Sequence, residues 1–149
     1  MKRPRHEPIV KILKHLRVKI NFITDGDIAG GLTVIGQNPK NDIYLGTGGG
    51  PEGVLAAAAL SCFGGQIQTR LVLDQDQKVR ATKLGVKDHL KKYNIDEMIK
   101  GDVMFFATGI SNGDMVDGIK ITENFFEAST FALHKSSKVF KKIKNKHKK

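Results

Sequence analysis

Ile43-Tyr44-Leu45-Gly46-Thr47 is short, apolar and β-capable, and it runs straight into Gly48-Gly49-Gly50-Pro51-Glu52-Gly53. Helix resumes at once over residues 54–63, rich in Ala and Leu, until Gly64-Gly65 stops it. Residues 67–73 then alternate as a further strand. Working back from the glycine turn, residues 8–17 place Ile9, Ile12, Leu13 and Leu16 at helical spacing, with Pro8 suited to the first turn. Residues 18–24 alternate Val18, Ile20 and Phe22 with Lys19 and Asn21, as a strand does, and end in Asp25-Gly26-Asp27; a short helix is expected over 28–35. Working forward, residues 75–92 are expected to be helical in part and 95–100 to make a turn or two of helix. Residues 103–107 read as an apolar strand ending in Thr108-Gly109, and 119–133 as extended chain.

Helices alternating with short apolar strands predict an α/β layered domain with a mainly parallel sheet flanked by helices. In such sheets the ligand crevice lies beyond the carboxyl ends of the strands. Asp25-Gly26-Asp27, the glycine turn with Glu52, and Thr108-Gly109 are therefore the expected functional ends.

The 149 residues are 40% hydrophobic and 27% charged, the balance of one globular domain. No apolar run approaches the length of a membrane span, no secretory signal is read, and a cytoplasmic location is expected. Cys62, the only cysteine, excludes an intrachain disulfide and reads as a small buried hydrophobe. The net charge of +10 is concentrated: residues 135–149 hold eight lysines and no acid, leaving the remainder nearly neutral. The organisation expected is an α/β domain over 1–134 and a lysine-rich tail over 135–149, solvated or a frayed helix. A nucleic-acid-associated domain using this tail is a minor alternative.

Each motif has a sharp and a plain reading. With Gly26 free to take positive φ, Asp25 and Asp27 can converge as ligands for Mg²⁺ or as acceptors for a polyol's hydroxyls, or simply cap the next helix. Gly48, Gly50 and Gly53 satisfy G-x-G-x-x-G, and Asp74 follows roughly 20 residues later, as in a Rossmann-like dinucleotide-binding domain. Against this, Glu52 sits where a pyrophosphate would lie and would repel it. A divalent cation held by Glu52 reverses that sign; a plain strand-to-helix turn is the third option. Arg3 and Arg5 flank Pro4 and either fork onto phosphate or stay solvated.

The series Arg3-Pro4-Arg5-His6, Asp25-Gly26-Asp27, Gly48-Gly49-Gly50-Pro51-Glu52-Gly53-Val54 and Phe106-Ala107-Thr108-Gly109-Ile110 resembles the carboxyl-terminal half of the class II fructose-1,6-bisphosphatases of the bacterial GlpX type. The resemblance runs from about Arg3 to Gly118, and the GGGPEGV segment is its specific part. It implies a metal-dependent sugar phosphatase, dependent on Mg²⁺ or Mn²⁺, that removes the 1-phosphate of fructose 1,6-bisphosphate in gluconeogenesis. On that resemblance Glu52 is a metal ligand, Asp25 and Asp27 bind the sugar, and Arg3 and Arg5 surround the substrate's other phosphate. A homo-oligomer is also expected. The catalytic residues, and most of the acidic metal cluster, are expected in an amino-terminal half that this sequence lacks. This chain would then be a fragment, split-gene product or decayed paralogue that needs that half from another chain.

Overall fold

The computed structural model describes residues 2–23, 26–35, 38–113 and 115–149, and for Asp27 the backbone alone. After a 3₁₀ turn at Pro4–His6 come helices α1 (Glu7–His15), α2 (Asp27–Leu32) and α3 (Gly50–Phe63), strand β1 (Gln68–Arg70), helix α4 (Gln75–Lys83) and strand β2 (Lys92–Asn94). Helix α5 (Ile95–Met98) and strands β3 (Met104–Thr108), β4 (Lys120–Ile121), β5 (Phe125–His134) and β6 (Val139–Lys148) complete the chain.

Helix α3 is the axis of the fold. Pro51 and Glu52 occupy its first turn, where a fixed φ and a negative charge both suit the amino-terminal end, and Gly64 closes it in the left-handed region at φ 72°. Ala59 and Cys62 pack against Phe105 of β3 and Phe131 and Leu133 of β5. Ala57 and Leu60 pack with Ile95 of α5, and Leu32 of α2 touches both clusters. Phe63, Phe131 and Phe140 close the carboxyl-terminal end of α3 onto the sheet, with ring centroids 5.0 to 6.2 Å apart. Burial pushes the Cys62 thiol up, as its reading as a small hydrophobe requires.

The fold is α/β as expected, but the sheet is not mainly parallel. β5 pairs antiparallel with β3 and β4 on one side and with β6 on the other, and β1 pairs antiparallel with β2. The cause is connectivity: β5 and β6 are joined by the short turn 135–138, whereas parallel neighbours need a crossover of a dozen or more residues. The two segments that gave the sequence its βαβ rhythm, 18–24 and 43–47, join no ladder among the described residues.

The lysine-rich end also differs from the solvated tail or frayed helix expected over 135–149. Residues 139–148 form β6, bonded along the length of β5 from His134↔Val139 to Phe125↔Lys148. Lys144 pairs with Asp117 at 2.7 Å, and Lys146 lies over the Phe125 ring, so part of the charge is engaged within the fold. Lysines along an edge strand discourage pairing with further strands. Among the described residues no helix is long and apolar enough to cross a membrane.

Candidate functional site

The glycine turn is built by long-range clips as well as by its own sequence. Thr47, the last residue before the glycines, donates its backbone N–H to His6 Nε2 at 2.9 Å, and its carbonyl accepts from Arg5 Nε at 2.7 Å. The Pro4–His6 turn thus supplies to Thr47 the two bonds that a neighbouring strand would otherwise provide. His6 is buried, and its acceptor role leaves Nε2 without a proton. Arg5 makes this bond through Nε, and among the described residues no acceptor is shown for its terminal nitrogens. Arg3 caps the same turn through its carbonyl, which accepts the His6 N–H at 2.9 Å, while its side chain is exposed.

Glu52 is exposed in the first turn of α3 and folds back over Gly49, so closely that a methyl group on Gly49 would meet its carboxylate. Gly49 is extended, at φ −69° and ψ 149°, and its carbonyl accepts the first helical N–H, from Gly53, at 3.1 Å. The carboxylate therefore stands at the positive end of the α3 dipole beside a glycine bare of side chain.

Gly26 takes φ 78°, the left-handed conformation expected of it, and precedes Asp27, the first residue of α2. Nothing further is described of the Asp27 side chain, and Asp25 lies outside the described residues. The neighbours of this turn do approach the 43–47 segment. A Cβ on the buried Gly30 would fall 2.7 Å from Ile23 and 2.8 Å from Tyr44, so only glycine lets α2 meet both. Arg5, Glu52 and the flanks of Asp25-Gly26-Asp27 are therefore all anchored on residues 41–49.

The third expected strand end, Thr108-Gly109, is explained by loop closure. Gly109 is buried against the backbone of Asp117, Gly118 packs on Ser111 and Asn112, and Asn112 Oδ1 accepts the Gly118 N–H at 2.8 Å. Asp74, the acid of the dinucleotide reading, instead caps α4 in a reciprocal box with Gln77. With β1 only three residues long and antiparallel to β2, the βαβ unit that reading needs is not formed.

Among the described residues no group of three or more His, Cys, Asp or Glu side chains is placed to hold a metal ion. Glu52 is one carboxylate and does not by itself fit a complete cation site.

Two features were not singled out from sequence. His6 belongs to the quoted Arg3-Pro4-Arg5-His6 series, but its role depends on a partner 41 positions away. The other is a network at the β5–β6 turn. Asp102 accepts from the Ser136 hydroxyl at 2.7 Å and bonds His134 Nε2 at 2.7 Å, while His134 Nδ1 bonds Ser137 Oγ at 2.7 Å. The Ser136 hydroxyl is the leading cause that holds the Asp102 carboxyl down at about 2, with His134 and two backbone N–H groups adding to it. The network ties the start of β3 to the hairpin.

Comparison with known proteins places the chain in a family. Residues 1–147 match the family described as bacterial fructose-1,6-bisphosphatase, glpX-encoded, and the chain belongs to that family. Among its relatives, the fructose-1,6-bisphosphatase class 2 of Haemophilus influenzae is 32% identical over 97% of this chain and 48% of its own length. The D-fructose 1,6-bisphosphatase class 2/sedoheptulose 1,7-bisphosphatase of Trichodesmium erythraeum is 27% identical over 99% of this chain and 47% of its own. For the fructose-1,6-bisphosphatase 2 class 2 of Escherichia coli the figures are 30%, 88% and 45%. The chain spans about half the length of these curated relatives.

Proposed function

We propose that this chain is the substrate-binding half of a metal-dependent phosphatase that hydrolyses the 1-phosphate of fructose 1,6-bisphosphate, and that it turns over substrate only with the half it does not span. The observation that carries this is that Arg5 and His6 are bonded to Thr47 and the Glu52 carboxylate lies over Gly49, two residues further on, in a chain of this family. A sugar bisphosphate needs positive forks at one end and carboxylates at the other, and Arg5 and Glu52 are attached to opposite ends of Thr47-Gly48-Gly49.

In this reading Arg3 and Arg5 hold the phosphate that is not cleaved, Asp25 and Asp27 accept from the sugar hydroxyls, and Glu52 contributes one carboxylate toward Mg²⁺ or Mn²⁺. His6 positions Arg5 and the turn. The remaining metal ligands and the groups that orient water come from the other half, and no chemical step is assigned to this chain alone. We place the protein in the cytoplasm, where phosphorylated sugars are found.

Thermal-shift and calorimetric titration with fructose 1,6-bisphosphate, with and without Mg²⁺, tests this reading. Binding is expected to weaken about tenfold or more in Arg5→Ala, which removes a charge-assisted phosphate contact. Glu52→Gln should lose only the Mg²⁺-dependent part. Unchanged affinity in both folded variants, or tighter binding of NAD than of the sugar bisphosphate, refutes it.

A further inference from the structure

The sheet built around β5 has two unlike faces. Phe105, Phe131 and Leu133 are buried against α3, so the alternate residues of the same strands face away from it. On that far side, register brings Phe106, Ala132 and Lys141 into one rung and Ile121, Phe126 and His147 into another. The rungs are open to solvent: Phe106 is 63% exposed, Ile121 72% and Phe126 38%. Phe106 and Phe126 stand on rungs about 20 Å apart along β5, and the His147 ring is stacked against Phe126 at 5.5 Å. Between them the Thr108 and Thr130 hydroxyls bond each other at 2.9 Å. None of the residues that the ladders place on this side is acidic; Asp102 reaches its corner and is bonded there to His134 and Ser136.

β6 borders this face and carries its charge. No acidic residue follows Glu127 in the chain, and β6 holds Lys141, Lys142, Lys144, Lys146 and Lys148. Lys144 is paired with Asp117 and Lys146 lies over Phe125, whereas Lys141, Lys142 and Lys148 form no ion pair among the described residues. We propose that this face binds single-stranded RNA, with bases stacked on Phe106 and on the Phe126–His147 pair and phosphates along the β6 lysines. Three observations select this occupant. An open antiparallel sheet with spaced, exposed aromatic rings is a platform for unpaired bases, whereas a duplex keeps its bases stacked within itself. The lysine edge suits a polyanion and repels a second copy of the same edge. Thr108, Thr130 and Asn145 lie between the two rungs, where a lipid surface would leave their polar groups unpaired and a ribose 2′-hydroxyl finds partners. The face uses none of the residues assigned above to the sugar bisphosphate.

The test is fluorescence anisotropy of the full 149-residue chain with a labelled oligouridylate about 15 nucleotides long. The expected result is binding that weakens with salt at a log–log slope of about −2, the value for about three phosphates neutralised on a single strand. Phe106→Ala should bind about tenfold more weakly and unfold thermally as wild type does, because its ring is mostly in solvent. Phe106→Leu, which keeps apolar bulk but not the ring, should lose affinity likewise. The triple variant Lys141→Ala/Lys142→Ala/Lys148→Ala should flatten the salt dependence toward zero. Leu84→Ala, at an exposed apolar position at the carboxyl-terminal end of α4, should bind as wild type does. The proposal is overturned by absence of binding, by wild-type affinity in Phe106→Ala or Phe106→Leu, or by equal loss in Leu84→Ala. Polyglutamate, an RNA duplex or oligodeoxyuridylate bound as tightly as oligouridylate overturns it as well.

Discussion

Phe140→Ala tests whether the lysine-rich end is part of the sheet. Phe140 is 52% exposed, so about half of the roughly 3 kcal/mol available from burying a phenylalanine is realised, about 1.5 kcal/mol. Its ring meets Phe131 edge-on at 5.0 Å and Phe63 at 5.7 Å, and the two ring contacts together add about 0.5–1 kcal/mol. Water can enter the vacated space, so no cavity penalty is added, and the expected loss is about 2 kcal/mol. Observed by far-UV circular dichroism in urea, this lowers the unfolding midpoint by about 1 M at unchanged slope. Lys141→Ala, on the other face of β6, should change stability by less than about 0.5 kcal/mol. If the two variants unfold together, residues 139–148 are a solvated tail in solution and β6 is wrong.

Gly49→Ala places a methyl group on the Glu52 carboxylate. The backbone there suits alanine, so thermal stability should hold while Mg²⁺-dependent affinity for fructose 1,6-bisphosphate, measured by calorimetry, falls about tenfold. Gly109→Ala drives a Cβ into the Asp117 carbonyl and to 2.8 Å from Val116, where backbone cannot yield, and should cost about 1–3 kcal/mol in urea unfolding. Asp102 has its carboxyl lowered from 3.8 to about 2, chiefly by the Ser136 hydroxyl. Its contribution is fully present above about pH 4 and is lost as pH falls from there to about 2, so acid titration of Asp102→Asn should show less loss of stability across that window than wild type.

The helices were legible because their signals are local. Apolar spacing with Pro8 gives α1, and the Ala- and Leu-rich run stopped by Gly64-Gly65 gives α3 from Val54 onward, while its first turn, from Gly50, was read as part of the glycine turn. β1, β3, β4 and β5 were legible as extended chain but not as a sheet, and β2 was not read at all. Pairing direction depends on the connection that leads out of a strand, and the hairpin at 135–138 carries no Asn-Gly or Asp-Gly signal to announce it. β6 was hidden by its own composition: Lys141-Lys142 and Lys144 interrupt any alternation, and Phe140 reaches the core cluster by its ring contact with Phe131 and its register with Leu133, neither of which any local signal marks. The candidate site divides in the same way. The place of Glu52 at the start of a helix is local to one turn and was read from sequence, whereas its fold over Gly49 was not, and the clips from Arg5 and His6 to Thr47 span 42 and 41 positions.

The course of α3 bears on how the candidate site is completed. A helix apolar on all sides belongs in an interior, and its later turns meet that requirement, with Ala57, Ala59, Leu60 and Cys62 buried. Its first turns do not: Val54 and Leu55 are each 47% exposed, immediately after Glu52. The end of the helix that carries the candidate cation ligand is thus the end without cover. A unit that covers Val54 and Leu55 also removes water from around Glu52, and a carboxylate attracts a divalent cation far more strongly in that setting than in bulk solvent. On the proposed reading, then, cover and the missing ligands arrive together. Val54→Asp should weaken assembly and Mg²⁺-dependent phosphate release in parallel, whereas Glu52→Gln should abolish release and leave assembly intact. If Val54→Asp assembles normally yet loses activity, the cover over this end of α3 does not come from the half that this chain does not span.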